Sequence, residues 1–457
     1  MLKPKYGDES PMTAISTTPG NSALTLIRCS GKGSIELLSS VFSSAKIKDA
    51  PGNTVAHGWI VDKEQKIDEV LVSVFRAPKS YTGEDSFDIS CHGGIVVAKA
   101  VMIALKNAGF RDALPGEFTF RAFLNGKLDL TQCESVMELV SAKTDTSRSH
   151  ALSRLSGSLQ KEINEIKQKL VQVLAGAEIY LDYSEDEVSA TDDDEINGKL
   201  PNQDIALSAL ARLKKLSASW QLERIYQEGI TVALAGKPNA GKSSLFNSLL
   251  KEDRSIVTEI PGTTRDWIEA WVSIEGIPVR LVDTAGLREA ADSVEKIGVE
   301  RSLKILQEAD IVLYLIDGQE GMTKEDIDYV KKEKCLILWN KCDLTAVPQP
   351  FPLADINPIC VSAKTGEGLN LLYAEITKDI QTDLSADAAL GTTRQKNHVD
   401  AACALLEDAL VLAEKDEPLD LIAPLIREAV NALGEITGEV SSADIIEEMF
   451  SNFCVRK

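Results

Sequence analysis

"GKPNAGKS", residues 236–243, decides how this chain reads. It fits the pattern G-x-x-x-x-G-K-[ST], and its surroundings fit too. The strand-like "ITVALA" (230–235) runs into it and the helical "SLFNSLL" (244–250) leaves it. Such a loop offers phosphate oxygens the backbone N–H groups of a helix start, here those of Asn239, Ala240, Gly241, Lys242, Ser243 and Ser244. Lys242 would reach the β and γ oxygens, and Ser243 would ligate Mg²⁺.

Four further stretches follow in the order a GTPase needs. "GTTRD" (262–266) places Thr264 as a second Mg²⁺ ligand on a switch loop, beside Thr263. "DTAG" (283–286) ends a buried strand: Asp283 lies near Mg²⁺, Thr284 and Ala285 follow, and Gly286 admits the γ-phosphate to the backbone. "NKCD" (340–343) supplies Asn340, Lys341 and Asp343. The carboxylate of Asp343 can accept from both the ring N–H and the amino group of guanine, a pair that adenine lacks. "SAK" (362–364) places Ser362, Ala363 and Lys364 over the base. The implied ligand is GTP with Mg²⁺.

The residue after D-x-x-G is Leu287, where a Ras-like enzyme carries the glutamine that orients water. Another group must handle the water, or hydrolysis is slow. Asn239 could hold a monovalent cation beside the phosphates, supplying charge that an arginine finger would otherwise bring. Glu295, in "REAADSVEKIG", reads either as a water-orienting carboxylate or as an ordinary helix-surface charge.

Composition bounds the rest. A length of 457 residues suits roughly three domains. A net charge of −21 argues against a general nucleic-acid coat, so any RNA partner meets a local basic surface or comes through a second protein. No apolar run reaches the ~18 residues of a membrane span. "MLKPKYGDESPMTAIS" shows no signal peptide, and the eight cysteines lack C-x-x-C spacing, so the expectation is a cytoplasmic protein with free thiols.

Along the chain, residues 1–125 read as α+β, with strands in "NSALTLIRCSG" and "DEVLVSVFRAP" and a helix in "GGIVVAKAVMIALKNAG". Residues 126–221 read as helical, with Leu152, Leu155, Leu159, Ile163, Ile166, Leu170 and Leu174 forming one apolar stripe. Residues 222–381 alternate strand and helix, as a parallel sheet requires. Residues 382–457 return to helix, with Ile446, Met449, Phe450 and Phe453 as a last apolar stripe before "CVRK". The organisation is a helical domain interrupted by an inserted α/β P-loop GTPase domain.

With these residues assembled, the chain resembles the MnmE (TrmE) family of tRNA-modifying GTPases over nearly its whole length. Besides the nucleotide motifs, "SYTGED", "CHGG", "PGEFTFRAFLNGKLDLTQ", "DTAGLREAADSVEKIGVER" and the ending "FCVRK" carry the likeness. The resemblance implies an α+β N-terminal folate-binding domain, a discontinuous all-α domain and the inserted Ras-like domain. It implies a homodimer through the N-terminal domains and potassium-dependent pairing of the GTPase domains. By that likeness Asn239, Thr258, Ile260 and Thr263 are K⁺ ligands and Glu295 is the catalytic carboxylate.

The resemblance also implies a flavoprotein partner, MnmG, and tRNA as substrate. The pair would add an aminomethyl-type group at carbon 5 of the wobble uridine, using 5-formyl- or methylene-tetrahydrofolate. Arg28, Glu84, Lys127 and Lys457 match the folate positions, the cations suiting the glutamate tail and Glu84 the pterin donors. Cys454 reads as a nucleophile or as a small buried residue. Arg456 departs from the family's usual glycine in Cys–aliphatic–Gly–Lys.

Two other readings use the same motifs. A ribosome-assembly GTPase would share Leu287 but usually appends a basic RNA-binding domain, and the C-terminal segment here is helical and not notably basic. A folate-sensing regulator would bind folate without recruiting a flavoprotein.

Overall fold

The computed structural model describes residues 6–182, 200–252, 268–283, 304–332, 335–348, 351–353, 357–378, 380, 388–440 and 449–450. They form two compact units. One comprises residues 1–137, 155–213 and 397–457; the other, 138–154 and 214–396.

The first unit holds a six-stranded sheet in the order β3-β4-β5-β2-β1-β6. Its strands are β1 (Met12–Ile15), β2 (Leu24–Ser30), β3 (Thr54–Asp62), β4 (Gln65–Phe75), β5 (Ser86–His92) and β6 (Arg111–Asp112). All neighbours are antiparallel except β1 and β6. Strand alternation sends Ile27, Cys29, Val70, Val72, Val74, Phe87 and Ile89 to one face, where all are buried. That face packs on helices α1 (Ser34–Val41) and α2 (Ile95–Ala108) through Ile35, Leu38, Val101 and Leu105. Gly109 ends α2 in the left-handed region (φ 116°), and its N–H caps the carbonyls of Leu105 and Lys106.

Helices α3 (Glu117–Leu124) and α4 (Leu130–Ser141) follow the sheet. Tyr6, Leu130, Cys133 and Phe450 are buried together, and the Phe450 ring meets Phe120 edge-on at 5.3 Å. This places the end of the last described segment in a core beside α3. The residues beyond it, Cys454, Arg456 and Lys457 among them, lie outside the described residues.

The expected single stripe from Leu152 to Leu174 is two helices, α5 (Asp145–Leu155) and α6 (Ser158–Asp182). Gly157, at φ 92°, breaks the run. On α6, Leu159, Ile163, Ile166 and Leu170 are buried, whereas Leu152 on α5 is 44% exposed. Spacings of three and four persisted across the break, but the helical phase did not. The helices α7 (Gln203–Glu228), α8 (Lys242–Glu252), α9 (Lys324–Lys332), α10 (Leu369–Thr377), α11 (Thr393–Glu414) and α12 (Leu419–Thr437) follow along the chain. No helix among the described residues is long and apolar enough to cross a membrane.

The second unit is built on a six-stranded sheet in the order β12-β11-β10-β7-β9-β8. Its strands are β7 (Ile230–Gly236), β8 (Ile268–Ile274), β9 (Ile277–Asp283), β10 (Ile311–Asp317), β11 (Leu336–Asn340) and β12 (Ile359–Val361). Every pairing is parallel except the β8–β9 hairpin. Val232, Leu234, Val279, Leu281, Leu313 and Leu338 are fully buried, the continuous burial of a sheet covered on both faces. The chain order reverses beside β7, so the crevice past its C-terminal end is where such folds bind ligands.

Residues 138–154 pack within this unit. Arg154, 2% exposed, bridges Glu138 (2.6 Å) and Glu223 (2.7 Å), and His150 Nδ1 lies 3.0 Å from Glu223. Ser147 donates to the carbonyl of Tyr226, just before β7. A Cβ at Gly391 would stand 2.2 Å from Glu138 Oε1 and 2.9 Å from Arg154 Nε, so a side chain there would displace this ion pair.

Candidate functional site

The phosphate-binding loop leaves β7 at its C-terminal end. Gly236 (φ 132°) and Gly241 (φ 96°) take left-handed conformations, and Asn239 joins them at φ 64°. A Cβ on Gly236 would meet Leu315 O at 2.4 Å, and one on Gly241 would meet Asn340 Nδ2 at 2.2 Å. The loop therefore closes only with glycine at both places. Lys242 Nζ donates to the carbonyls of Gly236 (2.9 Å) and Lys237 (2.7 Å), which hold its ammonium over the loop at the start of α8.

Ser243 Oγ donates to Asp283 Oδ2 at 2.8 Å. Asp283 is 1% exposed at the end of β9. A hydroxyl and a carboxylate in contact at a helix N-terminus make a hard oxygen donor set suited to Mg²⁺. Asn239, Ser243 and Ser244 are exposed, whereas Ala240 is buried.

Asn340 ties the nucleotide motifs together. It is 1% exposed at the end of β11. Its Nδ2 donates to Ala240 O at 2.7 Å, and its Oδ1 accepts from the Ala363 N–H at 3.1 Å. One side chain thus joins the phosphate loop, the guanine motif and the "SAK" loop. Lys341, at φ 63°, extends Nζ to Asp317 Oδ2 at 2.5 Å. Burial would raise the Asp317 carboxyl, but the Lys341 ammonium and the Gln319 amide outweigh it and hold the group below the usual range. Asp343 and Lys364 are exposed, with their side chains open to a base. Ser362 is buried and accepts from the Thr365 N–H at 3.2 Å, which shapes the loop.

Thr258, Ile260, Thr263, Thr264, Thr284, Ala285, Gly286, Leu287 and Glu295 lie outside the described residues.

In the first unit, Arg28, Ser30, Phe75, Tyr81, Thr82, Ser86, Asp88 and Phe118 line a cavity of about 100 Å³. Arg28 forms a forked pair with Asp88 across the β2–β5 register (3.1 and 3.3 Å) and lies over the Tyr81 ring at 5.7 Å. Glu84 accepts from Ser30 Oγ at 2.9 Å and from Arg121 Nη1 at 3.0 Å. Lys127 Nζ donates to Pro78 O at 3.1 Å. Arg28, Glu84 and Lys127 therefore border one region, the 78–84 loop. In this structure Glu84 is engaged by Arg121 and Ser30, and Arg28 by Asp88.

Sequence reasoning passed over Arg121 and Asp88. Arg121 is 5% exposed and also donates to the fully buried Glu117 and to the carbonyls of Asp8 and Ser10. The available signal was an arginine within the apolar helix "EFTFRAFL", where a cation persists only if paired.

The MnmE helical domain model matches residues 130–454, and the model of the GTP-binding protein TrmE N-terminus matches residues 11–127. A tRNA modification GTPase MnmE of Treponema denticola is 44% identical, the match covering 99% of each chain. One from Carboxydothermus hydrogenoformans is 42% identical over 98% of this chain and all of its own. Among solved structures, a variant of Aquifex aeolicus Era bound to GDP·AlF4⁻ is 28% identical over 40% of this chain and 67% of that chain, at a TM-score of 0.27. Two family models that together run from residue 11 to residue 454, and relatives matched end to end, place the chain in the MnmE family of tRNA modification GTPases.

Proposed function

We propose that this chain hydrolyses GTP in the cytoplasm to drive modification of tRNA wobble uridines. It would act as a homodimer with the flavoprotein MnmG, installing a carboxymethylaminomethyl-type group at carbon 5 with a tetrahydrofolate one-carbon unit. The observation that carries the reading is the Asn340 link between phosphate loop and guanine motif, set in a chain of the MnmE family.

In hydrolysis Lys242, aimed by two loop carbonyls, neutralises charge that builds on the β and γ oxygens. Ser243 and Thr264, with Asp283 behind Ser243, would hold Mg²⁺, which draws charge from the same oxygens. Asn239, with Thr258, Ile260 and Thr263, would hold K⁺ beside the loop. Glu295 would orient the attacking water in place of the glutamine that Leu287 displaces. Asp343 selects guanine, and Asn340, Lys341, Ser362, Ala363 and Lys364 frame the base.

In the N-terminal domain, Arg28, Glu84, Lys127 and Lys457 would hold the folate, and Cys454 would stand at the one-carbon chemistry. The cavity of about 100 Å³ is smaller than the ~300 Å³ that ligand pockets begin at. A second copy pairing through this domain would supply the missing walls.

Steady-state GTP hydrolysis in potassium against sodium tests the catalytic part. Turnover should be faster in potassium by on the order of tenfold or more, as expected when a charge is placed at the developing anion. Equal rates in the two salts would refute the cation assignment.

A further inference from the structure

Lys237 occupies the second position of the phosphate loop, where the G-x-x-x-x-G-K-[ST] pattern prescribes nothing. Its Nζ donates to Thr323 Oγ1 at 2.5 Å and lies 3.5 Å from Asp326 Oδ2 and 3.6 Å from Glu325. Thr323 and Asp326 cap the start of α9 reciprocally. The Thr323 N–H and hydroxyl donate to Asp326 Oδ2 at 2.8 and 2.6 Å. The remaining carboxylate oxygen accepts from the Tyr314 hydroxyl at 2.8 Å, and Tyr314 is paired in register with Ala235 of β7. Asp326 is 3% exposed. The Thr323 hydroxyl spends its proton on Asp326, leaving a lone pair for the lysine. The cation thus meets an exposed hydroxyl that the buried Asp326 carboxylate holds in place.

The same residue offers its carbonyl to Lys242 at 2.7 Å. We propose that Lys237 is a positioning residue for GTP hydrolysis: its ammonium, fixed on the Thr323–Asp326 cap, holds in place the carbonyl that aims Lys242. The inference rests on the GTP-hydrolysis reading above. It differs from that reading in giving a role to a lysine that faces the α9 cap.

Aim matters more as charge builds in the transition state than in the bound ground state, so the effect falls chiefly on kcat. The assay is steady-state GTP turnover by the full-length chain and its variants. Lys237→Met should lower kcat roughly 3- to 10-fold, the range of one ordinary, partly exposed hydrogen bond, and change KM less than about twofold. Lys237→Arg should keep kcat within about twofold of the parent, since its fork reaches the same acceptors. Lys237→Met with Thr323→Val should lose no more than the worse single variant, because both cut one link. A Lys237→Met enzyme equal to the parent, an Arg variant as slow as Met, or additive losses would each overturn the proposal. A parent that hydrolyses no GTP would overturn the functional reading and this inference with it; an active parent indifferent to Lys237→Met sinks this inference alone.

Discussion

Replacing Asn340 by alanine strikes the point where the nucleotide motifs meet. The amide makes two hydrogen bonds, to Ala240 O at 2.7 Å and from Ala363 N at 3.1 Å, and the residue is 1% exposed. Alanine leaves one carbonyl and one N–H without that partner, in a pocket so close that a Cβ on Gly241 would already meet the Asn340 amide at 2.2 Å. Each buried orphan costs about 1–3 kcal/mol, so the pair costs roughly 2–4 kcal/mol after partial rehydration. At 1.4 kcal/mol per decade, guanine-nucleotide affinity should fall about 30- to 700-fold if the cost appears when binding orders the loops. Asn340→Asp should be worse than alanine, because a carboxylate oxygen would then face the Ala240 carbonyl. Titration with a fluorescent GDP analogue reads the affinity, and a melting curve of the nucleotide-free chain reads the share lost in stability. Affinity within threefold of the parent, with the melting curve unmoved, would refute the role given to Asn340.

Arg154→Met should destabilise the second unit by about 3–5 kcal/mol by leaving Glu138 and Glu223 buried together without their cation. Burial pushes the Glu223 carboxyl up, but His150 and Arg154 outweigh it and hold it below 4.5. In the parent this carboxylate therefore stabilises the fold above pH 4.5 and ceases to as pH falls through its depressed pKa. Without Arg154 only His150 remains to oppose burial, so the Glu223 carboxyl moves up from its parent position and the variant's deficit should shrink as pH falls. Melting curves across pH check this; a deficit constant with pH would contradict it. Asp343→Asn should weaken GTP by on the order of a hundredfold and favour xanthosine triphosphate, whose ring presents an acceptor where guanine carries its amino group. Competition between the two nucleotides reads the exchange.

The inserted α/β domain was legible because its evidence is local. The "GKPNAGKS", "DTAG", "NKCD" and "SAK" motifs sit at the ends of the short apolar strands β7, β9, β11 and β12, within the strand–helix alternation read over 222–381. What the sequence hid was settled by distant partners. Residues 138–154 read as part of a helical domain, yet Arg154 and His150 fasten them to Glu223, some seventy positions away. Leu152 continued an apolar stripe in the sequence, yet it sits on a separate helix, α5, and is 44% exposed. Arg28 and Glu84, read one at a time, are solvated surface charges that only the family resemblance makes folate contacts, whereas the sheet register gives Arg28 to Asp88 and the α3 helix gives Glu84 to Arg121. A salt bridge across strands leaves no mark in either strand's pattern. The β8 strand was missed because it is an antiparallel edge whose apolar and polar residues mix, unlike its buried neighbours.

The central claim is that GTP hydrolysis by this chain serves wobble-uridine modification. Mass-spectrometric analysis of tRNA nucleosides tests it in cells lacking the gene, complemented by the parent chain or by Lys242→Ala. The account predicts unsubstituted wobble uridine in the deletion, full restoration by the parent and none by Lys242→Ala. Wobble uridines that stay fully modified in the deletion, or that Lys242→Ala restores, would contradict it.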